Sequence, residues 1–149
     1  MRPDETAFFD ALARVMNADP ERFRRYGDAD FVAVVTMRRE PADAFRVRLV
    51  VDGVACIDVS EIDEDEAALA DFGLDGPIAA WRAMFDDIVA NGRATGLQTL
   101  NSLALLGNEI ALVGPDPMGL DKFSRFNQTL QEFFDGAARV AAGTPTRGG

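Results

Sequence analysis

The sequence contains no histidine and a single cysteine, Cys56, among its 149 residues. The first absence removes the usual general base near neutral pH, the Ser-His and Cys-His nucleophile pairs, and the commonest zinc ligand. The second excludes an intrachain disulfide and a thiolate cage for a metal, and it fits a reducing compartment. Lysine occurs once, at Lys122 on the polar side of an amphipathic segment, which argues against Schiff-base chemistry. Basic residues are outnumbered, 15 against 25 acidic, for a formal net charge of -10. A field of that sign repels phosphate backbones and anionic surfaces, so nucleic acid is not an expected partner. No run approaches the ~20 apolar residues needed to span a bilayer. The opening MRPDETAFFDALARVM also lacks the continuous apolar stretch of a signal peptide. Stable membrane insertion is therefore not expected, and the cytoplasm is the expected location.

What the chain does have is apolar bulk in periodic order. Hydrophobic residues at 48% and charged residues at 27% suit a globular domain and argue against disorder. A chain of this length buries roughly 70% of its unfolded surface. One domain is expected over residues 1–142, with GTPTRGG, residues 143–149, as a disordered tail. Asp4 is positioned to cap a first helix whose Phe8, Phe9, Leu12, Val15 and Met16 share one face. Asp19-Pro20-Glu21 starts a short second helix ending at Gly27. Residues 31–38, FVAVVTMR, read as a strand, and Phe45, Val47, Leu49 and Val51 alternate through a second. Asp52-Gly53 offers a type I′ turn into a third, and residues 70–75 a weak fourth. The acids Asp58, Glu61, Asp63, Glu64, Asp65 and Glu66 lack the spacing, central Gly and terminal Glu of a calcium loop and read as solvated. Cys56, alternating with Ala55 and Ile57, reads as a small core residue.

Pro77 opens a helix in which Ile78, Trp81, Met84, Phe85, Ile88 and Val89 fill an arc of roughly 140°. Asn91-Gly92 ends it. Between residues 96 and 107, Leu97, Leu100, Leu103, Leu105 and Leu106 surround nearly a whole helix circumference, which predicts burial on several sides. Residues 110–113 form a last short strand. After the turn Gly114-Pro115-Asp116-Pro117, a final helix places Leu120, Phe123, Phe126, Leu130, Phe133, Phe134 and Ala137 within roughly 140°, with Lys122, Arg125, Gln128, Gln131, Glu132 and Asp135 opposite. A helix packed on a sheet would give the same stripe as one lining a cavity, and Trp81 suits a core anchor as well as a cavity wall.

The order of elements, together with LDGPIAAW and LNSLALLGNEIALVGPDP, resembles the sterol carrier protein 2 (SCP2) family over roughly residues 8–138. The resemblance implies an SCP2-like α/β (α+β) fold. It has about five strands in a mostly antiparallel sheet, covered by helices that enclose an apolar tunnel for sterols, fatty acids or acyl-CoA esters. It implies no catalytic residue, and with no histidine and one cysteine neither a metal nor a cofactor is expected. The Ser-Lys-Leu-like ending of peroxisomal members is replaced by Thr146-Arg147-Gly148-Gly149. The expected role is non-covalent binding, with transfer, of a lipid or other hydrophobic small molecule. Its expected lining is Trp81, Phe85, Ile88, Leu100, Leu103, Phe123, Phe126, Leu130, Phe133 and Phe134.

Two alternatives belong to other classes. A cavity enzyme of the isomerase or cyclase type would need a buried carboxylate, and Asp71 and Asp75 beside the fourth strand are the candidates, although both also read as exposed strand and turn residues. A protein-interaction module would bury the leucine-rich and Phe-rich faces against a partner or a second copy, as in a homodimer.

Overall fold

The computed structural model describes residues 2–106 and 109–143. Strand β2 (Asp43–Gly53) carries out its alternation: Phe45, Val47, Leu49 and Val51 are buried, while Arg46, Arg48 and Val50 are half-buried on the other face. Strand β1 (Ala29–Arg39) is buried almost continuously from Ala33 to Met37, as a central strand covered on both faces should be. It pairs antiparallel with β2 from Ala29↔Gly53 to Arg39↔Asp43, and parallel with β4 (Phe72–Pro77) from Ala33↔Phe72 to Arg38↔Pro77. β3 (Ala55–Glu61) lies antiparallel on β2, and β5 (Ala111–Val113) antiparallel on β4. The result is a mixed five-stranded sheet in the order β3-β2-β1-β4-β5, with one parallel junction at its centre.

Four helices cover one face. α1 (Thr6–Asn17) lies on β3, while α4 (Ile78–Asn91) and α5 (Pro117–Asp135) lie on β1 and β4; α6 (Ala137–Ala141) packs on α1 and α4. Trp81 is fully buried and its indole N–H donates to the Thr36 carbonyl at 3.1 Å, so one polar atom of a large apolar side chain is satisfied inside the core. The short helices α2 (Pro20–Arg24) and α3 (Glu64–Ala67) join these layers, and α3 sits beside β2. Among the described residues no helix is long and apolar enough to cross a membrane.

Several local expectations change. Asp4 does not cap α1; Glu5 holds the N-cap position, and the Asp4 side chain is enclosed by Arg2 and Arg39. The hairpin between β2 and β3 turns on Gly53-Val54, because Asp52 pairs with Ala55, and Gly53 takes the left-handed φ of 71°. The acidic stretch contains α3, capped by Asp63 and Glu66 in a reciprocal capping box. Strand four begins two residues later than expected, at Phe72. The leucine segment is not one helix: a 3₁₀ turn (Gly96–Gln98) and a π-helical turn (Ser102–Leu106) replace it, with Leu100 and Leu103 buried but Leu97 and Leu105 mainly exposed. Its leucines therefore do not demand burial on every side. Gly143 closes a turn, and the rest of the expected tail lies outside the described residues.

Candidate functional site

Helical spacing assembles a cleft of about 480 Å³ between α1, α4 and α6. Arg82, Phe85, Asp86 and Val89 stand at i, i+3, i+4 and i+7 of α4, so they share one side of that helix. Ala137, Val140 and Ala141 face them from α6, and Phe8 closes the floor from α1. The two alanines leave the space that larger side chains would fill. Phe8 and Phe85 are buried, Val89 stands half-exposed at the mouth, and Arg82 and Asp86 are exposed on its rim. Pro3 and Arg2 complete the rim, where Arg2 forks onto Asp4 at 2.6 and 3.1 Å. That guanidinium is the main cause holding the Asp4 carboxyl down at about 2, with Arg39 adding to it, so Asp4 is an anion and not a proton donor near neutral pH.

The floor of the cleft is the outer end of an aromatic cluster. Phe8 and Phe85 meet edge to face at 4.9 Å between ring centroids, and Phe85 continues to Trp81 at 6.5 Å and Phe134 at 5.8 Å. Trp81 meets Phe134 at 5.8 Å, and Phe134 meets Phe133 at 5.8 Å. Each such pair contributes about 0.5–1.5 kcal/mol beyond burial and holds the rings in a defined arrangement.

The ten residues expected to line a tunnel occupy this core in different ways. Phe85 opens directly on the cleft, and Leu100 borders a smaller cleft of about 270 Å³ beside α5. Trp81, Ile88, Leu103, Phe123, Leu130, Phe133 and Phe134 are buried in the shared core. Phe126 is half-buried and stacks on Phe31 at 5.9 Å, with the Arg125 guanidinium over its ring at 5.1 Å.

Asp71 and Asp75 do not meet in one site. Asp71 accepts from the Val32 amide at 2.8 Å and from Lys122 at 3.3 Å, and it borders a cleft ringed by Asp116 and Arg125. Asp75 accepts both arms of Arg38, at 2.7 and 2.6 Å, on the opposite face of the sheet. Each makes an ion pair, and neither lines the aromatic cleft.

Two acids on the polar side of α5 were not singled out by sequence reasoning. Glu132 is buried and gathers Arg25 at 2.9 Å, Arg22 at 3.6 Å and the Tyr26 hydroxyl at 2.9 Å. Asp135 is pushed up to about 6 by burial, against hydrogen bonds from the Ala94 amide and the Gln131 side chain. The only signal in the sequence is the spacing Asn127, Gln131, Asp135, one polar side chain per turn. Cys56 is buried, and burial pushes its thiol up to about 11. Among the described residues no group of three or more His, Cys, Asp or Glu could hold a metal ion.

No protein-family model and no curated protein sequence matches the chain. Its fold is similar to a crystal structure of sterol carrier protein 2, with a TM-score of 0.69 and 18% identity over 92% of this chain and 98% of that one. A solution structure of a conserved hypothetical protein from Thermus thermophilus, described with sterol carrier protein as a possibility, gives 0.66 and 22% over 98% and 94%. The fold is SCP2-like.

Proposed function

We propose that the protein reversibly binds, and transfers, a lipid or other hydrophobic small molecule without covalent chemistry. The observation that carries this reading is the contiguity of a half-open apolar cleft with a buried aromatic cluster, in an SCP2-like fold. The volume of about 480 Å³ lies within the range of small-molecule sites. Phe8, Phe85, Val89 and Val140 give the ligand a wall with no proton donor, so attraction comes from displaced water.

Magnitudes say how far a ligand must penetrate. Micromolar affinity requires about 8 kcal/mol net, and association costs at least about 4, so about 12 kcal/mol gross is needed. At about 0.8 kcal/mol per methylene that is about fifteen buried methylenes. A chain of that length reaches past Phe85. Trp81, Ile88, Leu100, Leu103, Phe123, Phe126, Leu130, Phe133 and Phe134 then serve as the deeper wall, which parts to form a tunnel as the ligand enters.

The test is titration with a fluorescent long-chain fatty acid, with and without EDTA, for the protein and for Ala141→Trp. Ala141 is exposed on the cleft wall, so an indole there obstructs the cleft without entering the core. Binding should weaken at least tenfold with an unchanged melting temperature and no effect of chelator. Ala142→Trp, one residue outside the lining, should bind as the original does. Failure of the unaltered protein to bind any of a panel of acyl chains and sterols refutes the carrier reading, and full affinity in Ala141→Trp refutes the assignment of the cleft.

A further inference from the structure

We propose that residues 93–103 form a strap, latched across the aromatic core by one row of side chains on α5, which opens as a unit while the sheet stays folded. That this opening admits the ligand rests on the function proposed above; the opening itself does not. The segment leaves α4 through Gly92, whose left-handed φ of 84° ends the helix, and it pairs with no strand. It reaches into the core with Leu100 and Leu103, while Leu97 points out.

Its other attachments are polar, and they come mainly from one place. The Ala94 amide donates to Asp135 at 3.2 Å, the Leu100 amide to Gln131 at 2.6 Å, and the Asn101 side chain to Asn127 at 3.1 Å. Asn127, Gln131 and Asp135 are spaced by four, so they rise in one row along α5. Gln131 also donates to Asp135 at 3.0 Å, which links two of the three latches. At the near end Asp87 holds the amide and hydroxyl of Thr95, at 2.6 and 3.0 Å, as a hinge post on α4. At the far end the Ile110 amide reaches the Leu103 carbonyl at 3.4 Å. The cleft of about 270 Å³ bordered by Thr99, Leu100, Asn101, Gln131 and Asp135 is the seam along which the strap parts from the helix. Segments held by few apolar contacts, and tied to the rest of the chain mainly through side chains, open below the global unfolding free energy.

The latch also responds to pH. Asp135 meets Gln131 and Glu132 on its own helix, the latter adding to its raised affinity for a proton, and Arg93 at the start of the strap, which opposes it. Arg139 of α6 interacts with it as well, and Tyr26, which follows α2, borders the same seam. The closed strap therefore holds a carboxyl titrating at about 6, whereas opening hydrates it and returns it toward 3.8. The closed state binds the proton more tightly, so acid closes the strap and rising pH loosens it. With those two values the opening constant rises about tenfold from pH 5 to pH 7.5.

Hydrogen exchange of residues 94–103, corrected for intrinsic rates, reads this directly. Protection should be at least tenfold lower there than in β1 and β2, and should fall about tenfold between pH 5 and pH 7.5. Gln131→Leu, which leaves the Leu100 amide without its acceptor, should raise opening at least fivefold at both pH values. Gln128→Leu, on the same helix but bonded to nothing in the strap, should not. Asp135→Asn should remove the pH dependence. Protection of the strap equal to that of β1 and β2 would mean that it opens only on global unfolding and overturns the proposal, as would a pH dependence that survives Asp135→Asn. An expected exchange pattern alongside failure of every acyl probe to bind would refute the carrier function and leave the strap standing.

Discussion

At Gly119 α5 passes so near the Asp71 backbone that a Cβ would not fit, and replacing the glycine with alanine tests whether that approach fixes the helix. A Cβ at this position would overlap the Asp71 carbonyl oxygen and lie 2.9 Å from its carbonyl carbon and 3.1 Å from its Cα. Both sides of the clash are backbone, so no rotamer change relieves it. Either α5 moves outward by about an ångström or the Asp71 peptide does. Asp71 cannot move freely, because its carboxylate holds the Val32 amide and Lys122, and its own amide donates to the Val32 carbonyl at 2.9 Å. Moving α5 instead shifts Phe123, which packs edge to face on Phe72 at 5.6 Å. Overpacking of this kind costs about 3 kcal/mol at the upper end of its usual range, and the better helix propensity of alanine offsets at most about 1. A net loss of about 2 kcal/mol should lower the melting temperature by roughly 4–8 °C in a chain of this size. Urea denaturation and thermal melting measure it. Gly136→Ala, whose Cβ would meet the Val15 side chain at 3.3 Å and the Phe133 carbonyl oxygen at 3.0 Å, should cost less. Stability of Gly119→Ala within about 0.5 kcal/mol of the original would show that α5 is not pinned at Asp71.

Two further outcomes follow from the titratable groups. The Asp4 carboxyl, lowered to about 2 from 3.8, adds stability that is present above the higher value and is lost as pH falls through the lower one. Discounted for the exposure of Arg2, this is roughly 1–2 kcal/mol, so Asp4→Asn should lose about that much at pH 7 by urea denaturation and converge on the original near pH 2. A loss that is the same at both pH values would assign it to packing and not to charge. The Cys56 thiol, buried and pushed up to about 11, should resist an aromatic disulfide reagent at pH 8 in the native protein and react within seconds in denaturant. Fast labelling of the folded chain would place β3 in a more open state than its packing under α1 indicates.

Much of the architecture was readable because it follows local periodicity. Phe45, Val47, Leu49 and Val51 could face only one side of a strand, and Phe123, Leu130, Phe133 and Phe134 only one side of a helix. The leucines at 97–106 misled for a reason that periodicity cannot register. Their segment is broken into a 3₁₀ turn and a π-helical turn, and the Leu100 amide is tied to Gln131, thirty-one residues away. Asp4 failed as a cap for the same cause, since Arg39 is its distant partner. The parallel pairing of β1 with β4 was equally hidden, because it depends on where the connection through α3 returns. Of the ten residues expected to line a tunnel only Phe85 opens on the aromatic cleft, and Phe8 was not among them, because the cleft is made by what is small. Ala137 and Ala141 leave a hollow over Phe8 and Phe85, and a pattern of large apolar side chains says nothing about where neighbouring bulk is missing.

The single parallel junction at the centre of the sheet sets a sequence of events during synthesis. β1, β2 and β3 are neighbours along the chain and can pair as soon as Glu61 has left the ribosome. At that stage the other edge of β1, from Ala33 to Arg38, has no partner, and it stays open until Phe72–Pro77 arrives. Closing that gap brings together residues 39 positions apart, from Ala33 to Phe72, which is slow compared with forming a hairpin. For that interval the nascent chain presents an unpaired strand edge six residues long, and it is then that strand-to-strand association competes most directly with folding.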